Sequence, residues 1–99
     1  MGRVFHNIDT TDGVEVLTAK EDIRIIRMTI ANTETADTAV NVDLYKNNQS
    51  GRTARIVGYN TTINGGDVLT LTDIILTATQ YLTVDSDGAI DVDINYITL

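Results

Sequence analysis

The single histidine, His6, is the first residue to consider for catalysis. A catalytic imidazole needs an orienting carboxylate and a nucleophile within reach. Asp9 and Asp12 follow closely in the sequence. However, the only serines, Ser50 and Ser86, fall in predicted turns that lack the strand–turn–helix context of a nucleophile elbow. Because the chain has no cysteine, it also offers no thiolate nucleophile and no disulfide. We therefore expect no enzymatic activity and no cofactor.

Four aspartates near the end of the chain form the one group with the chemistry of a metal site. They are Asp85, Asp87, Asp91 and Asp93. Carboxylates from a turn and the next strand can surround a calcium ion, but Tyr96 stands where a calcium loop has its bidentate Glu. The favoured alternative is a turn followed by two Asp on the wet face of a strand. One His and no Cys leave too few ligands for zinc.

Charge limits the classes of partner. Seven Lys and Arg against fourteen Asp and Glu give a net charge of −7, which argues against nucleic acid. No run of eighteen apolar residues is present, so we expect no membrane span. Arg24 and Arg27 lie on one predicted strand, and we interpret them as candidates for contact with a protein partner, because Arg is enriched at interfaces. Solvated surface charge is the alternative.

The composition predicts that these residues are positioned by strands. Val, Ile, Thr, Tyr and Phe make up 42 of the 99 residues, and proline is absent. Such β-branched and aromatic residues suit a pleated, half-buried surface. Four dipeptides that favour turns separate the apolar segments. They are Asp12-Gly13, Ser50-Gly51, Gly65-Gly66 and Asp87-Gly88.

About seven or eight short strands follow from this pattern, which is typical of an all-β, antiparallel two-sheet β-sandwich of jelly-roll or Ig-like type. We assign residues 13–99 to this domain. Tyr81–Val84 and Ala89–Ile97 are predicted to form a hairpin across the Asp87-Gly88 turn. In Ile23–Ala31 the alternation slips at Ile25-Ile26, which indicates either a strand covered on both faces or a β-bulge.

The alternating positions predict the core. It comprises Ile26, Met28, Ile30, Val40, Val42, Leu44, Leu69, Leu71, Leu82, Val84, Ile90, Val92 and Ile94.

Residues 1–12 are predicted to form an N-terminal arm. Val4, Phe5 and Ile8 are too few for a core but enough to anchor in the groove of a neighbouring protein. The alternative is a frayed terminus without a role, since termini are poorly ordered unless they are tied down.

The order of segments resembles that of small β-sandwich structural proteins of tailed bacteriophages. The resemblance covers about residues 14–97 and rests on strand order and turn types. The segments that carry it are Thr18–Asn32, Thr38–Tyr45, Ile63–Leu71, Ile74–Leu76, Gln80–Val84 and Asp87–Tyr96. It implies a virion component made in the host bacterial cytoplasm, with no catalytic residues to carry over.

Within that class the resemblance favours a capsid decoration, or cement, protein, which binds the outer head surface and the major capsid protein. The alternative is a tail, neck or fibre accessory protein that binds a receptor or carbohydrate. Sugar sites usually present several aromatic rings, and only five aromatic residues are present, which favours decoration. We also expect a homo-oligomer, with a trimer favoured by analogy, in which Arg24 and Arg27 pair with Asp91 and Asp93 of a neighbour.

Overall fold

The computed structural model describes residues 1–47 and 51–99. All of its regular elements are strands, and no helix in these two ranges is long and apolar enough to cross a membrane. The strands are β1 (Gly2–Ile8), β2 (Val14–Thr18), β3 (Ile23–Asn32), β4 (Thr38–Lys46), β5 (Ala54–Arg55), β6 (Thr61–Ile63), β7 (Val68–Leu76), β8 (Gln80–Ser86) and β9 (Ile90–Thr98).

The strands form two antiparallel sheets, which confirms the predicted β-sandwich. Sheet A has the order β1-β9-β3-β7, and sheet B has the order β2-β8-β4-β5, with β6 also paired to β4. The pairing follows a regular order along the chain. β1 pairs with β9, β2 with β8, β3 with β7, and β4 with β5 and β6. This nesting of pairs, split over two sheets, is the jelly-roll arrangement, one of the two types expected from the sequence.

The hairpin predicted across Asp87-Gly88 is wrong. β8 pairs with β2 and β4 in sheet B, whereas β9 pairs with β1 and β3 in sheet A. The turn therefore carries the chain from one sheet to the other. Local turn chemistry allowed a tight hairpin, but both strands bury their apolar faces by crossing the sandwich instead.

The N-terminal segment also differs from the separate arm expected for residues 1–12. Residues Gly2–Ile8 form β1, which pairs along its whole length with β9 of the same chain. Val4 packs against the core and Ile8 belongs to it. The few apolar residues of this segment suffice because β9 supplies the hydrogen-bonding partner for its backbone.

The slip at Ile25-Ile26 is a β-bulge. The register between β3 and β9 shifts by one residue between Ile25 and Arg27. Ile25 and Met28 point into the core, while Ile26 is turned outward and is 37% exposed, so its assignment to the core was wrong. Opposite Ile26, Asp73 of β7 has a positive φ of 59°, and the β3–β7 register is the same on both sides of it. β3 and β7 therefore each have one extra residue relative to β9, and these two residues, Ile26 and Asp73, lie opposite each other.

The remaining core predictions agree with the structure. All other residues of the predicted core are buried, except Leu44, Leu69 and Leu71, which are half-buried and pack against it. The Gly65-Gly66 turn joins β6 to β7, and Gly66 has a φ of 78° that glycine adopts easily. Ser50, of the predicted Ser50-Gly51 turn, lies outside the described residues.

Candidate functional site

The outer face of sheet A is the first candidate surface, because it exposes apolar side chains. Four large apolar residues within strands are exposed in the part of the chain that the structure describes, and all four lie on this face. They are Phe5, Ile26, Val68 and Ile75. Met1, also exposed, joins Ile26 in lining a shallow depression with Arg27 and Asn95. Exposed apolar groups gathered on one face mark a candidate interaction surface.

Three of the five residues predicted to bind a partner lie together on this face. Phe5 is 56% exposed on β1, and Arg24 and Arg27 are exposed on β3. Val4 and Ile8 are on the opposite side of β1, against the core. Successive side chains of a strand point to opposite faces, so β1 could not present all three of its apolar residues to one partner.

Two ion pairs on this face form within the chain. Arg3 donates to both carboxylate oxygens of Asp93, with N···O distances of 2.9 Å. This hydrogen-bonded pairing lowers the pKa of Asp93 and raises that of Arg3. Arg24 donates to Asp73 from Nε at 2.9 Å. The sequence had instead paired Arg24 and Arg27 with Asp91 and Asp93 of another copy.

Arg27 differs from the other two arginines of sheet A. No hydrogen bond or ion pair of its guanidinium is found among the described residues, although its charge lowers the pKa of Asp93. It lies at the edge of the depression that Met1 and Ile26 line. An apolar depression beside a free guanidinium is suited to an apolar side chain with a nearby carboxylate.

Net charge is distributed unevenly between the sheets and the loops. The strands of sheet A hold three Arg and three Asp, so their formal charge is zero. The strands of sheet B hold three acidic and two basic residues, for a charge of −1. The segments that join the strands therefore carry −6 of the total of −7. The ends of the sandwich are acidic, and the outer face of sheet A is not.

The outer face of sheet B has a different construction, since two of its polar side chains, Asn41 and Asp43, are buried. Asn41 of β4 donates through Nδ2 to Asn60 Oδ1 at 2.9 Å and to Asp85 Oδ1 at 2.8 Å. Its Oδ1 accepts from the backbone N–H of Asn60 at 2.8 Å and from Arg55 at 3.3 Å. Asp43, also buried, accepts from Arg55 at 3.4 Å. The segment from Arg55 to Asn60 thus covers part of this sheet.

The hydrogen-bond network of Asn41 and Asp43 was not predicted from the sequence. Their alternation with Val40 and Val42 correctly places them on the outer side of β4. The sequence gives no sign that a later segment folds back over them. The only hint is Arg55 and Asn60, whose donors can satisfy a carboxylate and an amide.

A cleft of about 400 Å³ opens beside this network. Asn41 and Asp85 lie in its lining, and Tyr59 and Asn60 line it from the covering segment. Tyr59 is 69% exposed, with the Arg55 guanidinium 4.8 Å from its ring centroid. A second aromatic feature, the stacked pair of Tyr45 and Tyr81, lies on the same face of sheet B with centroids 5.4 Å apart.

The calcium site considered for the four aspartates does not form. Asp85 lies on the outer face of sheet B, while Asp91 and Asp93 lie on the outer face of sheet A. Asp87 accepts from the backbone N–H of Ala39 and from the Thr38 hydroxyl, both at 2.8 Å, which lowers its pKa. Within residues 1–47 and 51–99, no group of three or more metal-ligating side chains comes together.

His6 and Ser86 make contacts inside the sandwich. A ring nitrogen of His6 lies 3.0 Å from the carbonyl oxygen of Val16, which connects the edge strand of sheet A to that of sheet B. The buried Ser86 hydroxyl donates to the carbonyl of Gly88 at the crossing between sheets. The His6 contact therefore joins the two sheets, whereas the Ser86 contact stabilises the turn between them.

Comparison with known proteins adds no family. No protein-family model matches the chain, and no curated protein matches it. Two surfaces are therefore candidates for function. The outer face of sheet A exposes apolar side chains and has no net formal charge, and the outer face of sheet B is polar and bears the cleft.

Proposed function

We propose that the protein is a structural component of a bacteriophage virion, a decoration protein that docks on the head through the outer face of sheet A. It binds the major capsid protein and lies on the capsid exterior after synthesis in the host cytoplasm. The observation that carries this proposal is the confinement of strand-borne exposed apolar residues to one face. The jelly-roll fold and the resemblance of the segment order agree with it, and jelly rolls occur in viral capsid domains.

The composition of this face supports docking on a protein. Interface centres are enriched in aromatic residues, Met and Arg. Phe5, Met1 and Arg27 bring these three types to the outer face of sheet A. None of the apolar groups there contributes to the core, so burial against a partner is the role that their exposure supports.

Charge supports the same orientation. The acidic ends of the sandwich repel one another when copies crowd on a lattice, whereas the outer face of sheet A carries no net charge. Docking through this face keeps the acidic loops at the sides and in solvent. Arg27 then supplies a free donor for an acceptor on the partner, which favours one orientation of the docked protein.

Pelleting with heads tests the proposal. The purified chain is mixed with empty heads assembled from the major capsid protein of the same genome, and bound protein is measured after sedimentation. We expect the wild-type chain to pellet with heads, and Ile26→Asp to lose about tenfold or more in affinity, since a carboxylate would be desolvated in the contact. Tyr59→Asp, which introduces the same carboxylate at an exposed position on the opposite face, is the control and should bind normally.

Two outcomes would contradict the proposal. If the wild-type chain does not pellet with heads but does bind isolated tails, the accessory alternative replaces decoration. If Ile26→Asp binds heads as well as the wild type while Tyr59→Asp does not, the docking face is assigned to the wrong sheet.

The proposal includes self-association of the protein. Sheet A ends in the edge strands β1 and β7, whose outer backbone groups can pair with another chain. Closed symmetry at a lattice three-fold would leave no interface open, which favours a trimer. Light scattering measures the mass in solution, and reconstruction of decorated heads counts the copies at each site.

A further inference from the structure

We propose that the cleft on the outer face of sheet B binds a neutral carbohydrate. This inference goes beyond docking on the head, since it concerns the opposite face of the sandwich and a different kind of ligand. A docked protein would turn this face toward solvent, where a glycan can reach it.

The exposed ring of Tyr59 supplies the apolar contact. The ring remains largely open although Arg55 covers one side of it, so its other side is free to pack against the C–H face of a sugar. The cleft volume of about 400 Å³ is within the range of small-molecule sites.

The polar groups of the cleft suit hydroxyl groups. Three polar groups of the cleft have no hydrogen-bond partner among the described residues. They are the Tyr59 hydroxyl, the amide nitrogen of Asn60 and the second carboxylate oxygen of Asp85. These atoms offer both donors and acceptors, as a row of sugar hydroxyls requires. An apolar surface with a few converging polar groups is the usual build of such a site.

The site is also held in place before a ligand arrives. Asn41 makes four hydrogen bonds, and through them it fixes Asp85 on the sheet and Asn60 on the covering segment. Arg55 joins this network and packs on Tyr59, which restrains the ring. Side chains that are fixed in advance lose little conformational entropy on binding, so affinity is gained without new contacts.

Charge determines which sugars fit. Asp85 and Asp87 both line the cleft, and Arg55, the nearby cation, is engaged with Asn41, Asp43 and the Tyr59 ring. The cleft therefore repels sialylated and sulfated glycans. Together the two carboxylates and the open ring favour an uncharged saccharide.

An array of neutral and sialylated glycans, followed by NMR titration of the isolated chain with the best neutral glycan, tests this proposal. We expect binding to neutral glycans only, with amide shifts centred on Asn41, Tyr59, Asn60 and Asp85. Tyr59→Ala should weaken binding by about tenfold or more. Phe5→Ala removes an equally isolated ring from the opposite face and should leave binding unchanged.

Failure here is distinguishable from failure of the docking proposal, because no capsid is present. The glycan site is overturned if no neutral glycan on the array binds, if sialylated glycans bind as well as neutral ones, or if Phe5→Ala weakens binding as much as Tyr59→Ala. In turn, Tyr59→Ala should still pellet with heads, and Ile26→Asp should still bind the glycan.

Discussion

The two outer faces of the sandwich differ in how their side chains are covered. Sheet B covers buried polar groups, Asn41 and Asp43, with a segment of its own chain that satisfies each of them. Sheet A leaves Phe5, Ile26 and Ile75 uncovered, the last of them 57% exposed. The chain itself covers buried polar groups on sheet B, but it leaves apolar groups on sheet A exposed to solvent.

This difference bears on which of the two faces is the proposed docking surface. Polar groups buried by the chain's own loop stabilise the monomer, because each has its hydrogen bond. The exposed part of the apolar side chains on sheet A adds nothing to the stability of the monomer, and it becomes favourable only when something else covers it. The comparison therefore supports our proposal that docking uses sheet A and that the cleft of sheet B binds a small, soluble ligand.

The largest expected effect is a difference in stability between an inward-facing and an outward-facing residue of sheet A. Ile25→Ala should lower the free energy of unfolding by about 2–5 kcal/mol, because it opens a cavity in a fully buried position. Ile26→Ala, the next residue and the same chemical change, should cost no more than about 0.5 kcal/mol. Urea unfolding followed by circular dichroism measures both. Equal losses would mean that Ile26 also belongs to the core and that the bulge is misplaced.

The next effect concerns the polar network of sheet B. Asn41→Ala should lower the free energy of unfolding by about 1–3 kcal/mol, since it leaves Asp85 and the backbone N–H of Asn60 without their partner. Asn95→Ala makes the same change on the outer face of sheet A and should cost about 0.5 kcal/mol or less. A larger loss for Asn95 than for Asn41 would reverse the comparison of the two faces.

These contrasts also show what could be predicted from the sequence. The period-2 alternation was enough to predict two packed sheets and to place Val40, Val42 and Val92 in the core. It failed at Ile26, where a bulge changes the phase of the alternation, and it could not decide which sheet each strand joins. Strand pairing depends on contacts between distant segments, such as β1 with β9, that local pattern does not encode.

The functional surfaces were predictable only in part. Phe5, Arg24 and Arg27 were predicted to bind a partner; the structure places all three exposed on the outer face of sheet A, and their role at an interface stays a prediction. The cleft was not predicted, since it exists only where Tyr59 and Asn60 fold back on β4 and β8.

The response of acid stability to salt should distinguish the turn at Asp87 from the outer face of sheet A. The pKa values of Asp87 and Asp93 are both lowered in the folded protein, so both groups stabilise it above the pKa of the unfolded chain and lose this effect as pH falls through their lowered values. Hydrogen bonds from Ala39 and Thr38 hold Asp87, whereas the charged Arg3 holds Asp93.

We therefore expect Asp87→Ala and Asp93→Ala each to lower the melting temperature at neutral pH, with the difference from wild type shrinking in acid. Added salt should reduce the effect of Asp93→Ala and leave that of Asp87→Ala nearly unchanged, because salt screens ion pairs more than hydrogen bonds to neutral donors. Melting curves over pH at two salt concentrations measure this. An equal salt response of the two variants would contradict it.

The smallest expected effect is that of the exposed arginines of sheet A. Arg24→Ala breaks the ion pair with Asp73 and should cost about 0–1 kcal/mol, since both side chains are well exposed. Arg27→Ala breaks no ion pair and should change the free energy of unfolding by about 0.5 kcal/mol at most. Chemical denaturation checks both. A loss of several kcal/mol for either residue would assign it to the stability of the monomer instead of a docking face.

A cryo-electron microscopy reconstruction of heads carrying the protein tests the central claim most directly. The account predicts that each copy lies with Phe5, Ile26 and Arg27 against the shell and with the cleft at Tyr59 facing solvent. Sheet B seated on the shell, with Ile26 exposed to solvent, would contradict it, as would heads on which the protein is absent.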